Sequence, residues 1–257
     1  MNSPSFRWPD GKKAAVSITF DDGRESQLQN GIPVLNMYNI RGSFYPLRQN
    51  YLKNLPGWRK LSQEGHEIGC HTLSHPCSGN YAWSRDAALE DFSYEQICQD
   101  IDQSVNLLKA DLGVTAKTFA YPCGQKFIGR GVKQRSYVPA VAERFIAGRG
   151  YRDSCHNAPD FCDLANIMSL TSDTVSFDYL IYNVEKAVEE HAWVVFTSHD
   201  VSDADHQAIR PEVLSQFCSY LQKNDSLLHI APVVEVARTI LRCRPIEQAS
   251  ESILVNR

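Results

Sequence analysis

Short hydrophobic runs alternate with longer amphipathic stretches along the whole chain. The hydrophobic runs have the length and the bounding turn residues of buried β-strands, and they lie at Ala14–Phe20, Gly42–Tyr45, Glu67–Gly69, Thr118–Tyr121, Ala165–Ser169, Val194–Ser198 and Leu228–Ala231. The amphipathic stretches predict helices at Gln27–Met37, Leu52–Glu64, Tyr94–Leu112, Pro139–Ala147, Phe177–Glu190, Pro211–Gln222 and Val233–Leu241. The helix at Tyr94–Leu112 places four aliphatic residues on one stripe, as expected of a helix that covers a core: Ile97, Ile101, Val105 and Leu108.

Strands that alternate with helices predict a parallel sheet wrapped by helices, either doubly wound or closed into a barrel. Seven such units in one chain favour the barrel. No repeat, low-complexity segment or linker interrupts the pattern, so residues 1–257 are predicted to form a single domain. The long loops at Ser78–Ala88 and Cys123–Pro139 follow strands, where folds of this kind carry their functional sites.

Composition removes several classes of function. The chain has 26 Lys and Arg against 30 Asp and Glu, a net charge of −4 that argues against a nucleic-acid partner. No apolar run reaches the length of a membrane helix, and residues 1–10 lack the apolar core of a secretory signal. We therefore expect no membrane partner and a cytoplasmic location, unless a leader peptide has been removed. The eight cysteines include no CxxC pair and are interpreted mostly as reduced, small hydrophobic residues.

Reactive side chains follow three of the predicted strands. Asp21 and Asp22 end the first strand, and a divalent cation would offset the repulsion between two adjacent carboxylates. His71 and His75 follow the third strand, and their spacing allows both to bind one metal ion. His199 follows a buried-type strand near the end of the chain. Because the carboxyl ends of parallel strands share one surface of a barrel, these residues together predict one site.

Each of these features, taken singly, is also compatible with a plain structural role, such as a solvated turn or a packed histidine. Thr72 stands where the zinc-protease pattern HExxH has its glutamate, which excludes that class. The strand that ends in Tyr121-Pro122-Cys123-Gly124 can present a backbone N–H to a developing oxyanion.

In these segments the chain resembles the polysaccharide deacetylases, carbohydrate esterase family 4. The run TFDDG at Thr19–Gly23 and the run HTLSH at His71–His75 are similar to the first two motifs of that family. Phe119–Gly124 matches the third motif loosely, and His199 corresponds to the last one. The resemblance covers about residues 14–200. It implies a distorted (β/α) barrel, a zinc-like divalent ion and the hydrolysis of an N-acetyl group.

The resemblance also implies a role for each matching residue. Asp22, His71 and His75 would hold the metal ion, which leaves an open position for water. Asp21 would be the general base that takes a proton from the attacking water, and His199 the general acid that protonates the leaving amine. The backbone N–H of Cys123 would help to bind the oxyanion.

Two positions of the third motif depart from the family pattern. Ala120 stands where many members have an arginine that orients the catalytic aspartate, and Arg152 can supply that guanidinium from another loop. Cys123 stands where an aromatic residue is frequent, which changes a side chain but leaves the backbone donor. Cys70 and Cys123 are candidate soft ligands, although either one would close the position that water needs.

Supporting residues are less clearly indicated. Asp173 is a candidate partner for the general-acid histidine. Tyr45, Trp83 and Tyr121 lie in segments where a sugar ring can stack on an aromatic side chain, although such aromatics more often pack in a core.

The sequence thus predicts a metal-dependent hydrolase, with zinc as the expected ion, that removes an N-acetyl group from an amino sugar or saccharide. The expected substrate is an acetylated saccharide or a small acetylamide. An esterase or a small-amide hydrolase with the same site is one alternative, and a metal-containing carbohydrate-binding protein without turnover is another. The two histidines and one carboxylate also fit a non-haem iron oxygenase, but that class does not explain Asp21 or His199.

Overall fold

The structure, a computed structural model, describes residues 6–244. Its strands are β1 (Ala14–Asp22), β2 (Ser43–Pro46), β3 (Glu67–Ile68), β4 (Thr118–Ala120), β5 (Phe127–Ile128), β6 (Arg135–Ser136), β7 (Ala147–Arg149), β8 (Leu170–Thr171), β9 (Trp193–Ser198), β10 (Asp200–Val201), β11 (Ala208–Ile209) and β12 (Leu228–Ile230). Its α-helices are α1 (Ile32–Met37), α2 (Arg48–Tyr51), α3 (Leu55–Gln63), α4 (Tyr94–Leu112), α5 (Val138–Arg144), α6 (Phe177–Glu190), α7 (Pro211–Lys223) and α8 (Val233–Cys243). The predicted domain, 1–257, also includes residues 1–5 and 245–257, which lie outside the described part.

Seven parallel strands close into a ring. β1 pairs with β2 on one side and with β9 on the other, β3 extends the sheet beyond β2, and β8 extends it beyond β9. β4 and β7 pair with each other. Single bridges join this pair to the sheet at both ends, Cys70 with Phe119 and Arg149 with Ile167. The predicted distorted (β/α) barrel of about seven strands is confirmed, and the distortion lies at the two joints made by single bridges.

One member of the ring differs from the prediction. Residues Ala147–Arg149 form β7, whereas the sequence pattern assigned Ala147 to the end of a helix. The short run Ala-Gly-Arg carries neither the β-branched residues nor the alternation that marks a strand. Conversely, the predicted strand β12 lies outside the ring. It pairs only with the first three residues of β1, and β2 pairs with the last four residues on the same edge of β1.

Other elements follow the sequence closely. α4 and α6 have the predicted bounds, because serine caps fix where each begins. In α4 the cap is reciprocal, with Ser93 and Gln96 each bonded to the other's backbone N–H, and the helix ends at Gly113 with φ of +73°. The predicted strand at Ala165–Ser169 is instead a short 3₁₀ turn, Leu164–Asn166, that leads into β8.

The hydrophobic core lies between the sheet and its helices. Phe20 of β1 stacks on Phe44 of β2 with ring centroids 5.0 Å apart, and Phe196 of β9 packs edge-on against Phe217 of α7. None of the helices within residues 6–244 is long and apolar enough to cross a membrane. The core holds the strands of the ring in register, so that their carboxyl ends form one rim.

Candidate active site

One cavity of about 550 Å³ opens at the rim formed by the carboxyl ends of the strands. Its wall contains the acidic pair and the histidines that the sequence analysis selected, together with aromatic and basic residues from the rim loops. They are Asp21, Asp22, Arg24, Leu47, His71, His75, Tyr81, Trp83, Cys123, Tyr151, Arg152, His199 and Gln207. Residues from sequence positions 21 to 207 therefore share one concave surface, as sites on such folds do.

Both aspartates of the first motif reach the cavity although they are consecutive in β1. Successive side chains of a strand normally point to opposite faces. Asp22 does not follow that alternation, because its φ is +68°. This left-handed conformation is uncommon for residues other than glycine, and it turns the Asp22 side chain toward the cavity. Gly23 follows with φ of +70°, and a Cβ there would lie 2.8 Å from the Cα of Pro46. The turn thus depends on glycine and brings both carboxylates to one surface.

Asp22, His71 and His75 form a group of metal-ligand type. One ligand atom from each lies within 4.8 Å of the other two. The Oδ1 atom of Asp22 is 3.8 Å from the Nε2 atoms of both His71 and His75. Its Oδ2 atom accepts a hydrogen bond of 3.0 Å from Arg24. One carboxylate oxygen therefore faces the two imidazoles while the other is held by a guanidinium.

The two histidines are oriented by contacts behind them. Nδ1 of His71 donates to the carbonyl oxygen of Ala120 at 2.8 Å, which directs Nε2 toward Asp22. The turn between the histidines is bound by Asp100 of α4, which accepts from the N–H groups of Leu73 and Ser74 at 2.7 and 3.1 Å. Hydrogen bonds of this kind fix the ring orientation and the tautomer of metal-binding histidines.

At Asp22 and His75, electrostatics favour the protonation states that a metal ion needs. Burial opposes the Asp22 carboxylate, but the surrounding histidines and Arg24 outweigh it and lower its pKa. Burial, followed by the charge of His71, lowers the pKa of His75 to about 4. An ionised carboxylate and neutral imidazoles are the forms that bind divalent metal ions.

Asp21 is paired with an arginine that the sequence analysis missed. The side chain of Arg149 is buried, and its Nη2 atom donates to Oδ1 of Asp21. Its Nη1 atom donates to the carbonyl oxygen of Gly150 at 2.7 Å, and the guanidinium lies over the ring of Tyr45 at 4.8 Å. Three contacts, with Asp21, the Gly150 carbonyl oxygen and the Tyr45 ring, therefore fix the position of the Arg149 guanidinium.

The suggestion that Arg152 replaces the missing arginine of the third motif is wrong. Arg152 is exposed and lies over the ring of Tyr151, 5.2 Å from its centroid. Arg149 of β7 is the direct parallel partner of Ala120 of β4, so the guanidinium comes from the neighbouring strand at the same level. No local motif in the sequence marks a residue that is brought into place by strand pairing.

The Arg149 side chain should be needed for turnover. We expect Arg149→Met to lower kcat by about 10–100-fold, because a small displacement of an adjacent reacting group has effects of this size. The bound metal should be retained. Steady-state kinetics and metal analysis measure both, and Arg152→Met is the matched control with a much smaller expected effect on kcat. Equal effects of the two variants would contradict this assignment.

His199 and Asp173 form a second pair across the cavity. Nδ1 of His199 donates to Oδ2 of Asp173 at 2.7 Å, and the backbone N–H of His199 donates to Oδ1 at 3.0 Å. Burial disfavours the imidazolium, but the bond to Asp173 and the charge of Asp21 outweigh it and raise the pKa of His199. With Nδ1 occupied, Nε2 is the nitrogen left to exchange a proton in the cavity.

Gln27 links the backbones of Asp21 and His199, and the sequence analysis did not select it. Its Nε2 atom donates to the carbonyl oxygens of Asp21 and His199 at 2.6 and 2.7 Å. The side chain is buried and begins a single π-helical turn, Gln27–Gly31, at a place where the pattern predicted regular helix. Turns of this kind are frequent at functional sites. A periodicity argument cannot find this residue, because its partners lie at the end of β1 and directly after β9.

Two cysteines at the cavity are joined by a disulfide, Cys77 to Cys123. The interpretation of the cysteines as reduced is therefore wrong for this pair. The two residues are 46 positions apart, and they meet because the loops after β3 and β4 leave adjacent strands of the ring. Cys123 also cannot serve as a thiolate ligand while its sulfur is bonded to Cys77. Cys70 remains free, but burial raises the pKa of its thiol to about 12.

The aromatic candidates divide into core and rim residues. Tyr121 is buried and donates to the carbonyl oxygen of Ala165 at 2.6 Å, and Tyr45 is buried beneath Arg149, so their assignment to sugar stacking is wrong. Trp83 lines the cavity and is 64% exposed. Tyr81, which the sequence analysis did not select, stacks on Trp83 with centroids 5.4 Å apart. The two rings form an apolar shelf at the cavity mouth.

The chain shares sequence and fold features with known proteins. The sequence model of the polysaccharide deacetylase family matches residues 9–134. The match covers just under half of the chain and shows a resemblance to that family. The resemblance proposed from the sequence motifs is confirmed, and the matched residues include Asp21 and the three members of the metal-ligand type group, Asp22, His71 and His75.

Individual relatives overlap this chain only in part. A gellan lyase of Bacillus sp. is 31% identical over 164 residues, which cover 64% of this chain and 6% of that protein. A peptidoglycan-N-acetylglucosamine deacetylase of Bacillus cereus is 38% identical over 65 residues, 25% of this chain and 24% of that protein. The chain thus spans less than a quarter of the length of these two curated relatives.

A solved structure covers nearly the whole chain. A family 4 acetyl xylan esterase from Clostridium thermocellum, in complex with a cobalt ion, superimposes with a TM-score of 0.59 over 91% of this chain and 95% of that one, at 19% identity. This likeness shows that the two proteins share the barrel fold.

Proposed function

We propose that this protein is a metal-dependent deacetylase that hydrolyses an N-acetyl group on a saccharide. The observation that carries the proposal is the arrangement of three groups around one cavity: the Asp22, His71 and His75 cluster, the Asp21–Arg149 pair and the His199–Asp173 pair. A binding protein needs only the first of these groups. An amide hydrolase needs all three, because it must activate water and also protonate a poor leaving group.

The donor atoms fit a divalent ion. One carboxylate oxygen and two imidazole nitrogens are within 4.8 Å of one another, and His71 is oriented by a carbonyl oxygen behind it. Three protein ligands of this type are typical of catalytic zinc, so we propose Asp22, His71 and His75 as ligands and zinc as the ion. When bound, the ion would polarise the acetyl carbonyl group and make a water molecule more acidic.

The remaining residues move protons and hold charge. Asp21, oriented by Arg149, would accept the proton of the attacking water. His199, kept protonated by Asp173, would donate a proton from Nε2 to the departing nitrogen. Cys123 lies on the cavity wall at the turn after β4, and its backbone N–H would donate to the oxyanion.

The cavity suits a sugar rather than a bare acetylamide. It is open on one side, and Trp83 stacks on His75 with centroids 6.1 Å apart, so the apolar shelf begins next to a proposed metal ligand. Pyranose rings present an apolar face that packs on aromatic side chains, while an acetamido substituent can reach the deeper polar groups. The name of the Bacillus cereus relative, which refers to N-acetylglucosamine in peptidoglycan, supports an acetylated saccharide as the substrate.

Acetate release tests the proposal. Zinc-loaded protein should release acetate from N-acetylated chito-oligosaccharides, lose that activity after dialysis against a chelator and regain it when zinc is added. His75→Ala should hold less than stoichiometric zinc and show no turnover. Loss of a hydrogen bond to a ligand already lowers metal affinity by about 10–100-fold, and loss of the ligand itself should lower it further.

Three outcomes would contradict parts of this proposal. Release of acetate from O-acetylated xylan but from no acetylamide would make the protein an esterase. Saccharide binding with stoichiometric zinc and no turnover of any acetyl substrate would make it a binding protein. Activity that appears only with ferrous iron and oxygen would place it among the oxygenases.

A further inference from the structure

We propose that the Cys77–Cys123 disulfide is a positioning element of the active site, and that its opening by a dithiol lowers turnover reversibly. The inference rests on the proposed deacetylase function, but it concerns residues to which the proposed mechanism gives no task beyond the backbone of Cys123. It is carried by three contacts that the disulfide makes at the cavity.

The first contact is with the His75 loop. Cys77 lies two residues after His75, and its Sγ atom is 3.8 Å from Nδ1 of that histidine. This sulfur occupies the place behind His75 that the carbonyl oxygen of Ala120 occupies behind His71. The group behind a metal-binding histidine sets the orientation of its ring. Movement of Cys77 would therefore move the proposed ligand.

The second contact is with the aromatic shelf. The N–H of Cys77 donates to Oγ of Ser84 at 3.2 Å, and Ser84 donates back to the carbonyl oxygen of Cys77 at 2.7 Å. Ser84 directly follows Trp83 in the chain. The disulfide thus ties the loop that carries the shelf to the turn after β4, where Cys123 lines the cavity.

The third contact is with the turn that presents the proposed oxyanion donor. Cys123 has a backbone φ of +54°, a conformation that residues other than glycine rarely adopt, and Gly124 follows with φ of +68°. Such conformations persist only when surrounding structure imposes them. On one side the turn packs against Tyr151, since a Cβ on Gly124 would lie 2.8 Å from the Tyr151 carbonyl oxygen. On the other side the covalent bond to Cys77 holds it.

Opening the bridge is a balanced exchange. One thiolate of a dithiol attacks a sulfur of the disulfide, and the second thiol of the dithiol then resolves the mixed disulfide. The dithiol leaves as its cyclic disulfide, having lost two electrons and two protons, and Cys77 and Cys123 remain as two thiols. Reducing compartments favour the open form and oxidising compartments the closed form. Activity would consequently follow the redox state of the surroundings.

The experiment compares oxidised and reduced zinc-loaded protein after the dithiol has been removed by gel filtration under nitrogen. A thiol count verifies reduction, and metal analysis verifies that zinc is retained. We expect kcat to fall by about 10–100-fold with a smaller change in KM, because the displaced groups act on the transition state, and to recover after reoxidation. Cys77→Ser should have the same low kcat without any response to dithiol. Cys155→Ser, which changes an exposed free cysteine, should respond as the unaltered protein does.

Hydrogen exchange gives a readout that does not need turnover. Reduction should speed amide exchange in residues 75–78 and 121–125, while α4 stays protected. Unchanged kcat and unchanged exchange in fully reduced protein would overturn the proposal, and so would a loss of kcat that only follows a loss of zinc. If oxidised protein hydrolyses no acetyl substrate, the proposed function fails, and the exchange rates still decide whether the disulfide positions the turn.

Discussion

Replacing Asp21 with asparagine is expected to lower kcat by about 10²–10⁴-fold while the protein keeps its divalent ion. Asparagine preserves the shape of the side chain but cannot accept a proton from water. The carboxylate lies beside Arg149 and outside the group formed by Asp22, His71 and His75, so its loss should not empty that group. Steady-state kinetics on an acetylated chito-oligosaccharide, together with metal analysis of the same sample, measure both quantities.

Asp111→Asn is a matched control for this variant. Asp111 is also a carboxylate paired with an arginine, Arg48 at 3.0 Å, but it does not line the cavity. The Asp111→Asn variant should therefore keep nearly all of its deacetylase activity and its divalent ion. A parallel loss of zinc and of kcat in Asp21→Asn would instead make Asp21 a metal ligand.

Replacing His199 with alanine is expected to lower turnover of an acetylamide by at least about 10²-fold, and to affect an activated acetyl ester much less. A departing amine is too basic to leave without a proton, whereas an activated alkoxide or phenoxide needs less assistance. The ratio of the two rates therefore reports on the acid directly. Wild-type rates on the acetylamide would reduce His199 to a structural role.

The pH profile adds a second measurement of the same group. The pKa of His199 is raised, so its imidazolium form persists above the ordinary value of about 6.5 and is lost as the pH rises through the raised value. Turnover of the acetylamide should accordingly decline on the alkaline side. Asp173→Asn removes the bond that favours the imidazolium, and the alkaline limb should move to lower pH. If the alkaline limb of the pH profile does not move in Asp173→Asn, the decline reports the titration of a group other than His199.

The raised pKa also has a consequence for stability. A histidine with a higher pKa in the folded than in the unfolded protein stabilises the fold fully below its unfolded pKa, and this contribution disappears as the pH rises through the folded value. Asp173 acts in the opposite direction, since its pKa is lowered and its contribution is lost on acidification. The pair should therefore be most stabilising between the two titrations.

The residues of the predicted site come from the end of β1 and from loops after other strands, which only the fold brings together. Asp21 and Asp22 were identifiable because two adjacent carboxylates after a buried strand are chemically conspicuous. His71 and His75 were identifiable from their spacing and their position after a strand. Their roles as base and ligands stay predictions, but their meeting in one cavity follows from the closure of the ring.

The amino-acid sequence alone was sufficient for the barrel, for the bounds of α4 and α6, and for the resemblance to a known family, because hydrophobic periodicity, helix caps and contiguous motifs are local properties. It was not sufficient for the Arg149 contact with Asp21, for the bond between Cys77 and Cys123, or for the burial of Tyr121. Arg149 and Asp21 are 128 positions apart, and β7 joins the ring through its pairing with β4 and one bridge to Ile167. Contacts of this kind depend on how distant strands pair, and no pattern within a single segment encodes them.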